Sequence, residues 1–94
     1  MRAMQVMSAL AQATRLDVWR LLVERLPDGM PAGDVAKAVG LSKNGMSPHF
    51  AILSAAGLIS SEKIGRSIVY KAKTAAAEEL SSFLSAACDK GRQS

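Results

Sequence analysis

Apolar residues recur at helical spacing in five places along this chain, and in one stretch between them the period drops to two. Residues 2–11 set Ala3, Met4, Met7, Leu10 and Ala11 on one stripe, which predicts a short amphipathic helix. Leu16, Trp19, Leu22, Val23 and Leu26 make a broader face, the expectation for a central core helix, and Thr14 followed by Asp17 has the form of a capping box at its start. The run Pro27-Asp28-Gly29-Met30-Pro31 is dense turn chemistry that ends it. Gly33 and Asp34 open a third helix with Val35, Ala36 and Val39 inward; Gly40 stops it and Leu41 packs the turn. Ser42 suits the cap of a fourth helix whose core stripe is Met46, Phe50 and Leu53, with Gly57 as the left-handed residue past its end.

Residues 58–63 and 67–72 then alternate as two strands around Ile64-Gly65-Arg66, with Ile68 and Tyr70 on the inner face of the hairpin. Thr74 caps a last helix carrying Ala76, Leu80, Phe83, Leu84 and Ala87 as its stripe. The predicted order is helix, helix, helix, helix, hairpin, helix: a mainly α fold with one β-hairpin, a single domain over residues 1–94, without repeats or linkers.

Pro48 complicates the fourth helix. If that helix starts after Ser42, Pro48 removes the donor to the Asn44 carbonyl and distorts the first part, at a cost of about 3 kcal/mol. If Ser47 is the cap, Pro48 is the first helical residue and residues 43–46 form an irregular turn. The first version is favoured, and which side chains face outward depends on it.

Composition narrows the chemistry. Almost half of the 94 residues are apolar, yet there are only one Trp, one Tyr and two Phe, so the core is built from Ala, Leu, Val and Met. A core of that size is modest, and a dimer sharing apolar surface would extend it. The single cysteine, Cys88, excludes an internal disulfide and an all-thiolate metal cage within one chain. No apolar run approaches the roughly 18 residues of a membrane span and no signal-peptide layout is seen, so a soluble cytoplasmic protein without membrane association is expected. One His, one Cys and no glycine-rich phosphate cradle leave no nucleophile–base set, so neither an enzyme nor a cofactor is expected.

Charge is what points to a partner. The whole net charge of +4 is accounted for by residues 37–73, which carry +5 as Lys37, Lys43, Lys63, Arg66, Lys71 and Lys73 face the single acid Glu62, while acids and bases nearly cancel on either side. A helix pair followed by a basic hairpin, carrying the net charge, is the footprint of a reader of double-stranded DNA. With the Met46 stripe inward, Lys43, Asn44, Ser47, Pro48 and Ala51 are the outward candidates for DNA contact. Asn44 can pair bidentately with adenine, Lys43 reaches guanine or phosphate, and Ser47 suits either. Arg66 at the hairpin tip suits a minor groove, with Lys63 and Lys71 beside it on the backbone. A helix–hairpin domain of this kind can also serve as a protein–protein contact module with a merely solvated basic hairpin, and that alternative predicts little salt dependence on DNA.

These residues resemble the ArsR/SmtB family of bacterial winged helix-turn-helix repressors over nearly the full length. Ala9-Leu10-Ala11-Gln12-Ala13-Thr14-Arg15-Leu16 is similar to the family's entry to its second helix. Ser47-Pro48-His49-Phe50 with Leu53, Ala56, Gly57 and Leu58 is similar to its recognition helix, and residues 65–70 to its wing. The resemblance implies a winged helix-turn-helix homodimer built from the first and last helices, near residues 2–11 and 74–88, that represses from an imperfect inverted repeat. Met4, Met7, Leu10, Leu80, Phe83 and Leu84 would form the dimer interface. The chain departs from the family in Ala51 and Ser54, where basic residues are frequent, which shifts affinity toward Lys43 and the wing. The family's cysteine pair on the third helix is missing from Pro31-Ala32-Gly33-Asp34, and the last helix has no His, so neither usual metal site is expected. His49 is expected to be structural. Cys88 remains as the candidate for a thiol-reactive inducer, arsenite or an oxidant, acting across the dimer.

Overall fold

The computed structural model describes residues 2–93. Five helices and three short strands follow one another as α1 Ala3–Leu10, α2 Ala13–Glu24, β1 Met30–Pro31, α3 Ala32–Ala38, α4 Lys43–Ala55, β2 Ile59–Ile64, β3 Ser67–Ala72 and α5 Ala75–Arg92. The mainly α fold with a hairpin wing, in the expected order, is what the periodicity predicted. Val6 and Ala9 of α1, Val18 and Leu22 of α2, Val35 and Ala36 of α3, and Met46, Phe50 and Leu53 of α4 close one core over Leu58, Ile59 and Ala72 of the hairpin.

The helix-turn-helix pair α3–α4 ends twice by the same device. After α3, Gly40 adopts φ +74°, its N–H donates to the Lys37 carbonyl and the N–H of Leu41 to that of Ala36. After α4, Gly57 again has φ +74°, with Gly57 N–H bonded to Ser54 and Leu58 N–H to Leu53. Both are Schellman closures, in which a glycine's access to the left-handed region lets two orphan carbonyls be satisfied. At α4 the closure is sealed by Leu53 and Leu58, both fully buried. At α3 the partner of Leu41 is only Ala36, so Leu41 stays exposed and does not pack the turn as expected.

Several expectations are corrected. The cap of α2 is not Thr14, which lies inside the helix, but Gln12: its extended backbone points Oε1 at the Arg15 N–H, 2.8 Å away. Leu16 and Leu26 do not join the core, being 37% and 42% exposed, and Val18 takes their place. At 3.6 residues per turn Leu16 sits roughly 140° from the Val18–Leu22 face, and Leu26 lies past the helix end. Thr74 stands at the start of α5 but makes no capping bond, because its backbone is already helical (φ −93°, ψ −16°) rather than extended.

The turn at 27–31 also conceals a strand. Met30 and Pro31 pair antiparallel with Tyr70 and Val69, giving the sheet order β1-β3-β2. Pro31 is tolerable there because β1 is an edge strand that needs few donors. The preceding Gly29 is required: at φ +76° a Cβ would lie 2.4 Å from the Tyr70 carbonyl oxygen, inside any possible contact.

Candidate nucleic-acid interface

The outward face of α4 follows from its caps and its stripe. Ser42 is extended and its Oγ accepts from the Gly45 N–H at 3.0 Å, so the helix starts at Lys43, and the alternative start at Ser47 is overturned. Pro48 sits at the sixth helical position without interrupting the α-helix. Its ring removes only the donor to the Asn44 carbonyl, on an exposed first turn. Ser47 Oγ donates to the Lys43 carbonyl at 3.3 Å, a second side-chain bond on the same turn. With Met46, Phe50 and Leu53 buried, Lys43, Asn44, Ser47, Pro48 and Ala51 are all exposed on the opposite side. A free convex face with polar groups in its first two turns is what enters a major groove.

The wing is held against this helix by aromatic stacking. Tyr70 of β3 lies over Phe50 of α4 with ring centroids 3.9 Å apart and planes 7° from parallel. The hairpin register pairs Ile64 with Ser67, leaving Gly65 (φ +61°) and Arg66 as a two-residue turn. A positive-φ glycine in the first position followed by a residue of negative φ is the type II′ arrangement that suits the twist of the strands. Ile68 shares the face of Tyr70 as expected but is exposed rather than inward, since the outer half of the hairpin reaches past the helices. Between α3, α4 and β3 lies a groove of about 460 Å3 whose polar rim is Asp34, Lys43, Ser47 and Arg66, over a floor of Phe50 and Tyr70.

Only part of the basic segment converges here. Lys43 and Arg66 reach the groove, the Lys43 stem passing 3.1 Å from where a Cβ on Gly33 would stand. Lys63 pairs with Ile68 and so emerges on the face of the wing that carries Tyr70. Lys71 pairs with Ser60 on the other face, where its stem lies against Gly29. Lys73 belongs to a separate hollow with Arg2 and Glu79, while Lys37 lines a hollow between α3 and α4 together with Lys43, next to the groove. Charge that is contiguous along the sequence is thus divided in space among three surfaces.

The second half of the fold is open. Among its described residues α5 has none buried, Phe83 and Leu84 being 46% and 45% exposed, and Met4 of α1 is 82% exposed. Ala76 and Leu80 pack in part on the core, while Phe83, Leu84 and Ala87 of the expected stripe project into solvent. The chain accordingly measures 55 × 23 × 19 Å. Cys88 is exposed on this helix. Among the described residues no three His, Cys, Asp or Glu side chains gather as a metal site, and no helix is long and apolar enough to cross a membrane.

Two groups missing from the sequence reading support the face of α4 from behind. Arg15 reaches from α2 to both α1 and His49 of α4, and Gln5 of α1 donates to the Ala55 carbonyl at the end of α4 at 3.2 Å. The available signal was Arg15 itself, a cation in the first turn of a helix, where the helix dipole disfavours it.

The helix-turn-helix domain model matches residues 10–62. Among solved structures, NolR from Sinorhizobium fredii is 30% identical with a TM-score of 0.73, the match covering 89% of this chain and 81% of that one. An ArsR-like transcriptional regulator from Rhodococcus sp. RHA1 is 26% identical with a TM-score of 0.84, covering 98% and 84%. A possible ArsR-family regulator from Mycobacterium bovis, a homodimeric winged helix-turn-helix DNA-binding domain, superposes with a TM-score of 0.73 at 21% identity, covering 94% and 80%. No curated protein matches the chain.

Proposed function

From the chain's membership of the helix-turn-helix family, in the winged form of the ArsR-like DNA-binding transcriptional regulators, we propose that it acts as a homodimeric repressor on an imperfect inverted repeat. The observation that carries this reading is the free face of α4, exposed from Lys43 through Ala51 while the opposite face is wholly buried. In the proposed complex Asn44 and Ser47 meet base edges, Ala51 and Pro48 lie against the groove wall, and Lys43, Arg66 and Lys63 hold phosphates. Lys71, on the far side of the wing, is left a peripheral electrostatic role.

The dimer is formed by α1 and α5, through Met4, Met7, Leu10, Leu80, Phe83 and Leu84. Its support is the open apolar surface of α5 and the homodimer described for the relative from Mycobacterium bovis. Such a pair places two recognition helices on successive turns of one side of the duplex, which is why an inverted repeat is its natural site.

Salt titration tests the DNA reading. Affinity for the operator should fall steeply with added salt. Lys43→Ala and Arg66→Ala each remove two phosphate contacts per dimer, and each should flatten the slope of log Kd on log salt by roughly 2. A flat titration of the parent chain, or equal slopes in all three proteins, contradicts the assignment; the first is what a protein–protein module would give.

For the inducer we propose a thiol-reactive agent acting at Cys88. One arsenite can join two thiols, one from each protomer, releasing two waters as two As–S bonds replace two As–O bonds. Peroxide would instead oxidise the two thiols to one disulfide and be reduced to two waters. Cys88→Ser should then remain on DNA when arsenite or peroxide is added, and release identical to that of the parent chain removes Cys88 from the mechanism.

A further inference from the structure

Arg15 occupies a position that its own helix does not favour. It is the third residue of α2, where the exposed N–H groups and the dipole repel a cation. Its guanidinium is turned away from α2 altogether. Nε donates to the Ala9 carbonyl at 2.7 Å, Nη2 to the Ser8 carbonyl at 3.4 Å, and Nη1 approaches Nδ1 of His49 at 3.4 Å. Ser8 and Ala9 belong to the last turn of α1, the negative end of that helix, where the Ser8 carbonyl also accepts the Ala11 N–H at 3.3 Å. A guanidinium has only donors, so in this contact Nδ1 of His49 is the acceptor. One side chain therefore joins the end of α1 to the middle of the recognition helix.

The other end of α1 is also fastened to α4. Arg2 Nη1 and Gln5 Nε2 lie 3.4 Å and 3.2 Å from the Ala55 carbonyl oxygen, in the last residue of α4. On its outer side α1 shows Met4 and Met7 to solvent. Thus α1 lies between the open apolar surface and the back of the recognition helix, tied to the latter at both ends. A rigid element fixed in this way passes the angle between two protomers to the two reading heads.

We propose that Arg15 is a positioning residue that sets the orientation of α4 relative to α1, and thereby the half-site spacing the dimer accepts, with His49 as its acceptor on α4. The inference rests on the dimeric DNA-binding reading above. Lysine keeps the charge at position 15 but lacks the planar fork that serves three acceptors at once. Asn at position 49 keeps an acceptor near Nδ1, whereas Leu does not.

The test measures Kd by anisotropy on four DNAs: a single half-site, the inverted repeat, and two repeats with the spacer one base pair longer or one base pair shorter. Arg15→Lys and His49→Leu should stay folded and dimeric and bind the half-site within about twofold of the parent chain. On the repeat they should lose about tenfold, as expected for a lost coupling of ordinary size, and their preference for the correct spacer should shrink together. His49→Asn should keep the parent preference, and the double variant should be no worse than either single one. A lower Tm with the spacer preference intact would reveal a merely stabilising role and overturn the proposal. So would unchanged binding in both single variants. If the parent chain itself binds no repeat, the dimeric-repressor reading fails first and takes this inference with it.

Discussion

A chain carrying Phe83→Glu together with Leu84→Glu is expected to be monomeric and to lose about 10²- to 10⁴-fold in affinity for an inverted repeat, while a lone half-site is bound almost as before. The size of the effect comes from linkage: two reading heads held together make the second binding event intramolecular, and separating them removes that gain without touching any DNA contact. Both side chains are nearly half exposed, and no described residue of α5 is buried, so the change should leave the helical content of the monomer intact. Four added carboxylates in a symmetric apolar contact would each have to be desolvated beside one another, which such an interface cannot offset. Sedimentation equilibrium with anisotropy on the two DNAs decides the matter. A variant that stays dimeric at micromolar concentration would move the interface elsewhere on the molecule.

The largest expected effect on stability belongs to Leu53→Ala. Leu53 is fully buried, lies at the centre of the core between α2, α4 and the hairpin, and gives its carbonyl to the closure at Gly57. Truncation should cost about 2–5 kcal/mol, a large part of the roughly 5–15 kcal/mol that holds a domain folded. For a chain of this length that lowers Tm by roughly 10–30 °C. The neighbouring Ile52, 42% exposed on the same helix, makes the comparison sharp: Ile52→Ala should stay within about 1 kcal/mol of the parent chain. Thermal melts at one protein concentration, fixed because a dimer's Tm depends on it, check both. Equal losses at 52 and 53 would mean that α4 is rotated from the phase described above.

How far the fold was legible can be traced residue by residue. The third and fourth helices were readable because Gly40 and Gly57 punctuate them chemically: few other residues close a helix through a positive φ, so their positions fix the ends and the Met46 stripe fixes the phase. The hairpin was readable for the same reason at Gly65. The start of α2 was not, since Gln is an uncommon cap and Thr14 looked like a better one. Its core face was misjudged because Leu16 and Val18 both sit in an apolar-rich run, and only tertiary packing chooses between two overlapping stripes. The strand at Met30 escaped because two residues carry no periodicity of their own; they pair only because β3 passes alongside.

The candidate interface was legible in its helix and less so in its charges. Lys43 and Arg66 meet at one groove, whereas Lys71 and Lys73, equally basic and close in sequence, turn to other faces. Strand alternation alone separates Lys63 from Lys71, since Lys63 is paired with Ile68, three residues before Lys71 on β3, so that part was recoverable once the register was known. The Arg15–His49 contact was beyond reach, since it joins side chains 34 positions apart.

Footprinting of the purified chain on the DNA upstream of its own coding sequence tests the central claim most directly. Two protected patches are expected on one face of the duplex, their centres separated by about one helical turn or a multiple of it, with protection weakened by salt and by Lys43→Ala. Uniform absence of protection in dilute buffer, or protection that survives Lys43→Ala and Arg66→Ala combined, would contradict a recognition helix reading DNA as one of a pair.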